Sequence, residues 1–363
     1  MSKEKQSRIV RYIIDSNGTS KAQIAQDLNL SMPTVLSSLK QLSENNIVME
    51  DGVYESTGGR KAKTIVVNPD LHYAVGIDIT GGHMGMVVID MRGQVIYNQR
   101  VRRVFDPSIA YCKNLSDTLN KFISDSKVDR DKILGVGVSI PGIIDYDSKI
   151  LTRSHALNVT NLSLLNLENA ISFPVYFEND ANAALMAEKT KDSQNLLYIS
   201  LSNTVGGSIY LNGKIYRGRD NKAGEFGHLI LHPGGKKCYC GKIGCSDGYL
   251  SALNLRVTDD MSLEKFMELL KAGDKKCLKI WDEYLEELAL LIADLRAVFD
   301  SEIIIGGYVG YYIEDYLLEL SQKIACHSTF DLDAGFLKSS VKKREASAAG
   351  VAGYFIDKFV DEI

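Results

Sequence analysis

Three of the chain's six cysteines fall within eight residues, at Cys238, Cys240 and Cys245, and His228 stands ten residues before the first of them. One imidazole and three thiolates form the closed tetrahedral set that holds structural zinc, with no position left for a reacting water. Gly241 and Gly244, within Cys-X-Cys-Gly-X-X-Gly-Cys, let the backbone fold round a small ion. His232 competes for the imidazole position. Read as a strand, the segment puts His228 and His232 on one face about 13 Å apart, so a single ion takes only one of them. His72, His83, His155, His327, Cys112, Cys277 and Cys326 lack such company and are expected to be packing or surface residues. Six cysteines in 363 residues make no disulfide framework. The clustered thiols therefore point to metal and to a reducing cytoplasm.

A second chemical feature lies in VYFENDANAAL. The apolar strand Val175–Glu178 leads into Asn179-Asp180, which opens a helix at Ala181. A carboxylate at the C-terminal end of a strand, facing a cleft, suits a general base or an acceptor for a ligand hydroxyl. Helix capping by Asn or Asp is the plainer alternative.

The elements that must position these residues alternate between strand and helix. Tyr73–Asp78 is a buried strand ending in a carboxylate and Thr80-Gly81-Gly82, followed by strands Met84–Asp90 and Gln94–Asn98, a helix Ala110–Ser126 and a strand Ile133–Ile140. The order recurs weakly as Asn195–Leu201, a turn Ser202–Gly207, Ser208–Leu211 and the two-residue turn Asn212-Gly213. A duplicated α/β body with a ligand cleft between its lobes follows, with lobes at 71–185 and 186–363 and a C-terminal helix able to return to the first lobe. Such a strand, glycine turn and hairpin open each lobe of actin-like and sugar-kinase (ribonuclease H-like) folds, where the turn's N–H groups hold phosphates.

Residues 1–70 have a different rhythm. Ile9, Val10, Ile13 and Ile14 define one helix, and Ser20-Lys-Ala-Gln23 is a capping box for a second, which buries Ile24, Ala25 and Leu28. Ser31 caps a third, with Pro33 in its first turn and Val35, Leu36, Leu39 and Leu42 turned inward. The spacing predicts a helix-turn-helix that presents Ser31, Met32, Thr34, Ser37 and Ser38 to the major groove. Strands at Ile47–Tyr54 and Lys63–Val67 would flank a wing whose tip carries Arg60 and Lys61 for the phosphate backbone. The segment's nine Lys/Arg against eight Asp/Glu make it nearly neutral, so one copy offers few phosphate contacts. No 18-residue apolar run and no apolar secretory core occur, and the whole chain carries a formal charge of −4.

At Gly224–His228 and Cys238–Asp247 the sequence resembles the ROK family, which groups bacterial sugar repressors and sugar kinases. The resemblance runs through nearly the whole chain, including the winged helix of the repressor branch. It implies a monosaccharide in the cleft, touched by Asn158, Asn179, Asp180, Glu225, His228 and Asp247, with His228 bound to zinc through one nitrogen and to a sugar hydroxyl through the other. Asp247 stands where the family usually has Glu, one methylene longer. The kinase phosphate loops are eroded: DxGGT reads Asp78-Ile79-Thr80-Gly81-Gly82, and the second loop reads Ser202-Asn203-Thr204-Val205-Gly206-Gly207-Ser208, two leading glycines short. Side chains there obstruct close approach of phosphate, which leaves Asp180 a vestigial base. Tyr308 stands in the remnant of the adenosine site, where a small residue is usual. The expectation is a sugar-responsive repressor with structural zinc, acting as a homodimer or homotetramer on palindromic operator DNA. The alternatives are a sugar kinase that retains a DNA-binding domain, a zinc sensor, and a regulator controlled by a partner protein.

Overall fold

The computed structural model describes residues 3–54, 62–190, 193–330, 333, 335–342 and 345–363. Helices α1 (Lys3–Asp15), α2 (Lys21–Asp27) and α3 (Met32–Glu44) form the expected trihelical unit. Ser20 Oγ accepts the Gln23 N–H at 3.1 Å, but the Gln23 amide donates to Asp27 at 2.8 Å, so only half of the capping box forms. Strands β1 (Val48–Tyr54) and β2 (Ala62–Val67) pair antiparallel as the wing. The wing tip with Arg60 and Lys61 lies outside the described residues.

The first lobe opens with β3 (Tyr73–Ile79), β4 (His83–Asp90) and β5 (Val95–Arg102), then α4 (Ile109–Ser126) and β6 (Ile133–Ile140). A small sheet of β7 (Ile143–Asp145), β8 (Ile150–Ser154) and β9 (Val159–Ser163) follows, then α5 (Leu165–Ala170), β10 (Val175–Asn179) and α6 (Asp180–Glu188). The second lobe begins with β11 (Leu196–Leu201), β12 (Val205–Leu211) and β13 (Lys214–Ile215). After the metal loop come α7 (Asp247–Leu250), α8 (Leu263–Lys271), the long α9 (Lys275–Phe299), β14 (Glu302–Gly306), α10 (Gly307–Gly310), α11 (Leu317–His327) and β15 (Leu337–Ser339). The lobe sheets run β10-β6-β3-β4-β5 and β15-β14-β11-β12-β13, with the same parallel and antiparallel pairings. The duplication is therefore carried by topology. Asn212 and Gly213 both take positive φ, +52° and +77°, as a two-residue hairpin turn requires.

The second turn is shorter than the sequence pattern suggests. It spans 202–204, and Gly206 and Gly207 belong to β12. A Cβ on Gly207 would sit 2.1 Å from the Phe226 ring, so this glycine admits the turn that carries Glu225 and His228.

The last helix, α12 (Ala346–Glu362), returns to the first lobe and lies against β3, β6 and α6. Gly350 lets it approach α6 so closely that a Cβ would lie 1.7 Å from the Ala183 carbonyl oxygen. Its far end packs on the winged helix: Ile9, Val10, Ile13 and Val35 share one buried cluster with Ala74, Ile89, Phe355, Ile356 and Val360. Among the described residues, the core of 1–70 is thus continuous with that of the body. Among the described residues no helix is long and apolar enough to cross a membrane.

Candidate functional site

His228 ends a 3-10 turn (Phe226–His228), and the metal loop lies just beyond it. The segment is not a strand, and His232 is excluded from the metal set for another reason: its Nε2 meets Glu287 of α9 at 2.6 Å. The ligand atoms of His228, Cys238, Cys240 and Cys245 all lie within 4.8 Å of one another. The Cys240 and Cys245 sulfurs are 3.9 Å apart, as are Cys238 Sγ and His228 Nδ1. Zinc–sulfur bonds of about 2.3 Å give a tetrahedron edge of roughly 3.8 Å, close to these two separations, so the set is one that could hold zinc. Gly241 and Gly244, each at φ +88°, turn the loop as its spacing suggests. Burial, followed by the His155 and Arg153 charges, pushes the His228 pKa down, which favours the neutral imidazole a metal needs.

The other nitrogen, Nε2, faces the interlobe cleft, 3.3 Å from the Tyr239 hydroxyl and 3.9 Å from Glu225. This cleft has two adjoining compartments. One, of about 480 Å³, is lined by Asn179, Asp180, Glu225 and His228. The other, of about 700 Å³, extends past Asp180 along Asp78, Thr80, Arg100, Asn158, Ser202, Leu253 and Tyr308. Tyr239 and His155, rings 5.0 Å apart, line both compartments.

Five of the six residues expected to touch a sugar thus line the cleft, although Asn158 belongs to the larger compartment. Asn179 also caps α6, its Oδ1 accepting the Ala181 and Asn182 N–H groups at 2.9 and 3.1 Å. The capping alternative thus holds for Asn179, while Asp180 lines both compartments. Asp247 differs. It is buried behind the loop, where its Oδ2 accepts the Val205 N–H at 2.6 Å, and it lines neither compartment. With one methylene fewer than Glu, it braces the second turn.

The carboxyls in the cleft resist ionisation. Burial and the neighbouring Asp180 charge raise Asp78 to about 6. Burial raises Asp180, and burial with the Asp180 charge raises Glu225. Next to them is a network that sequence reasoning missed. Buried Glu178 accepts from the Tyr146 hydroxyl and the Arg217 guanidinium, and also from Tyr176 at 2.7 Å, the Asn179 N–H at 2.9 Å and Asn182 at 3.1 Å. Arg217 belongs to the second lobe and its guanidinium also lies 4.7 Å from the Tyr146 ring centroid, so Glu178 ties the lobes beside Asp180. Its position next to Asn179-Asp180 was the only sequence signal.

On the winged helix, Ser37 and Met32 are exposed and Thr34 is half-buried. Ser31 caps α3 and shares a 2.8 Å hydrogen bond with Thr34. Ser38 does not face DNA: it is fully buried and donates to the Thr34 carbonyl at 2.9 Å. Leu36, expected inside, is 47% exposed. The reason is helical phase, because Val35, Ser38, Leu39 and Leu42 fall at i, i+3, i+4 and i+7 and form the inward stripe.

Two duplicated lobes, a cleft between them and a histidine grouped with three cysteines at its edge define a two-lobed protein of the sugar-kinase-like class. The chain belongs to the ROK family, which matches residues 74–357. It is 27% identical over 379 residues to the xylose repressor of Bacillus subtilis strain 168, covering 99% of this chain and 97% of that protein. It is 28% identical over 284 residues to a glucokinase of Halalkalibacterium halodurans, covering 70% of this chain and 86% of the relative. A solved ROK family transcriptional regulator, a homolog of the E. coli MLC protein, superposes with a TM-score of 0.76 at 22% identity, covering 99% and 98% of the two chains.

Proposed function

We propose that the chain is a sugar-responsive transcriptional repressor, cytoplasmic, and active as a homodimer or homotetramer on palindromic operator DNA. Ser31, Met32, Thr34 and Ser37 meet the bases, and the basic wing tip follows the phosphates. A sugar ring binds in the smaller compartment, where Asn179, Asp180, Glu225 and the free nitrogen of His228 order its hydroxyls. Structural zinc on His228, Cys238, Cys240 and Cys245 fixes that imidazole and cross-links the loop.

The observation that carries this reading is the path from cleft to winged helix along α12. At one end Ser347 donates to the Asp180 carbonyl at 3.0 Å. At the other, Asp357 lies 3.6 Å from Lys189 beyond α6 and 3.0 Å from Arg11 of α1, which also reaches Asp361 at 2.5 Å. A sugar that shifts the lobes displaces α6 and α12, and with them the spacing of two winged helices. Footprinting on promoter DNA tests it: a protected palindrome whose occupancy changes with a bound sugar is expected, and a stable oligomer protecting none refutes it.

Survival of Asp180 in the cleft, together with the glucokinase relative, favours a second reading, a sugar kinase. ATP-dependent phosphorylation of hexoses or pentoses at roughly 1–100 per second would support it. The repressor reading expects no such turnover.

A further inference from the structure

The larger compartment is where a kinase of this architecture would seat its nucleotide, yet its walls here are built for something else. Several of the turn donors that could meet phosphate are engaged within the protein. The Thr80 N–H donates to the His83 carbonyl at 2.9 Å, the Thr80 hydroxyl donates to the same carbonyl at 3.0 Å, and the His83 N–H returns to the Thr80 hydroxyl at 3.0 Å. In the second lobe the Ser202 N–H is used by the Thr204 carbonyl at 3.2 Å, the Val205 N–H by Asp247 at 2.6 Å, and the Tyr308 N–H by Ser202 Oγ at 3.3 Å.

Charge argues in the same direction. Arg100 is the one arginine or lysine on the described walls of this compartment, and Asp78 and Asp180 face it. Arg100 itself bridges the lobes to the Tyr308 hydroxyl at 3.1 Å. Desolvation lowers His83, so it adds no fixed positive charge at neutral pH. A triphosphate would enter a site with two carboxyls and a single basic side chain, at a desolvation cost that one arginine offsets poorly.

What remains is a pocket of neutral hydroxyl and amide groups, from Asn158, Ser200, Ser202, Asn203, Thr204 and Ser347, beside apolar Leu253. It adjoins the smaller compartment at the Tyr239–His155 pair, two rings suited to the apolar face of a pyranose. About 700 Å³ added to a compartment that already holds one ring exceeds what a monosaccharide fills, because pockets of roughly 300–1,000 Å³ bury ligands of drug size.

We propose that the larger compartment is a second sugar subsite, and that the chain's effector is a neutral disaccharide lying across Tyr239 and His155, with one ring at Asp180 and His228 and the other between Asn158 and Leu253. This rests on the sugar-responsive reading above and names its ligand class. Only binding is involved, with no bond made or broken.

Calorimetry on the full-length, zinc-loaded protein tests it, using glucose, xylose and N-acetylglucosamine, their β-1,4-linked dimers, and ATP. At least one dimer should bind ten-fold or more tightly than its own monosaccharide. Leu253→Trp, a half-exposed site on the larger compartment alone, should cut dimer affinity at least ten-fold while leaving monosaccharide affinity and melting temperature unchanged. Equal affinity for monomer and dimer, an equal loss of both in Leu253→Trp, or ATP binding that Leu253→Trp abolishes overturns the second subsite and leaves the sugar-responsive reading standing. Binding of no sugar by the unaltered protein overturns both.

Discussion

Asp78 holds a carboxyl at the end of β3, partly buried on the cleft wall, accepting from Ser139 Oγ at 3.0 Å. Its replacement by Asn keeps the shape and the hydrogen bond and removes the ionisation. The folded-state value of about 6 lies above the ordinary 3.8, through burial first and Asp180 second. At 1.36 kcal/mol per pH unit the difference corresponds to about 3 kcal/mol. The sign follows from proton binding. Below pH 3.8 both folded and unfolded chains hold the proton, and Asp78 has no cost. As pH rises toward 6 the unfolded chain releases its proton while the folded one keeps it, so stability falls, and above 6 the loss is complete. Asp78→Asn should therefore exceed the unaltered protein in stability by about 3 kcal/mol at pH 8 and by roughly half of that at pH 5. Urea unfolding of the pair at matched pH measures this. A gap that stays constant between pH 5 and 8, or a less stable variant at pH 8, refutes the assignment of an ionisable, destabilising carboxyl to the cleft.

Other perturbations address the metal, the α12 contact and the DNA face. Cys240→Ser should lower zinc affinity more than about ten-fold, with a lower melting temperature and weaker sugar binding; elemental analysis finding no zinc in the unaltered protein would remove the metal. Gly350→Ala should destabilise the protein although helix propensity alone favours Ala by about 1 kcal/mol, because a Cβ 1.7 Å from the Ala183 oxygen must push α12 off α6, an overpacking cost of about 1–3 kcal/mol or more; a higher melting temperature would refute this. Ser37→Ala should reorder affinities among operator variants by about 1 kcal/mol at one base pair, whereas Ser38→Ala should lower stability and leave the ranking intact, as competition binding on a set of operators would report.

The parts of this protein that depend on neighbours in the chain were legible from sequence. Glycines at fixed offsets between Cys238 and Cys245 can only fold a tight loop, so the grouping of the three cysteines needs no knowledge of the rest of the molecule, whereas the contact that removes His232 comes from Glu287, 55 positions away. Ser20 and Ser31 cap helices through donors three residues on, and Asn212-Gly213 turns a hairpin by its own dihedral preferences. The inward place of Ser38 was also written in the helical period, and the preference for apolar residues at core positions is what put Leu36 there instead. Tertiary structure decided the rest. Asp247 and Val205, Glu178 and Arg217, and Arg100 and Tyr308 meet across 42, 39 and 208 positions, and no periodicity carries such separations. Whether a carboxylate touches a ligand or braces a turn depends on where packing leaves it relative to the cleft. The return of α12 is of the same kind: an apolar helix announces that it will be buried, but only the surfaces of β3, β6, α6 and α1 together fix where, and that placement joins the cleft to the winged helix.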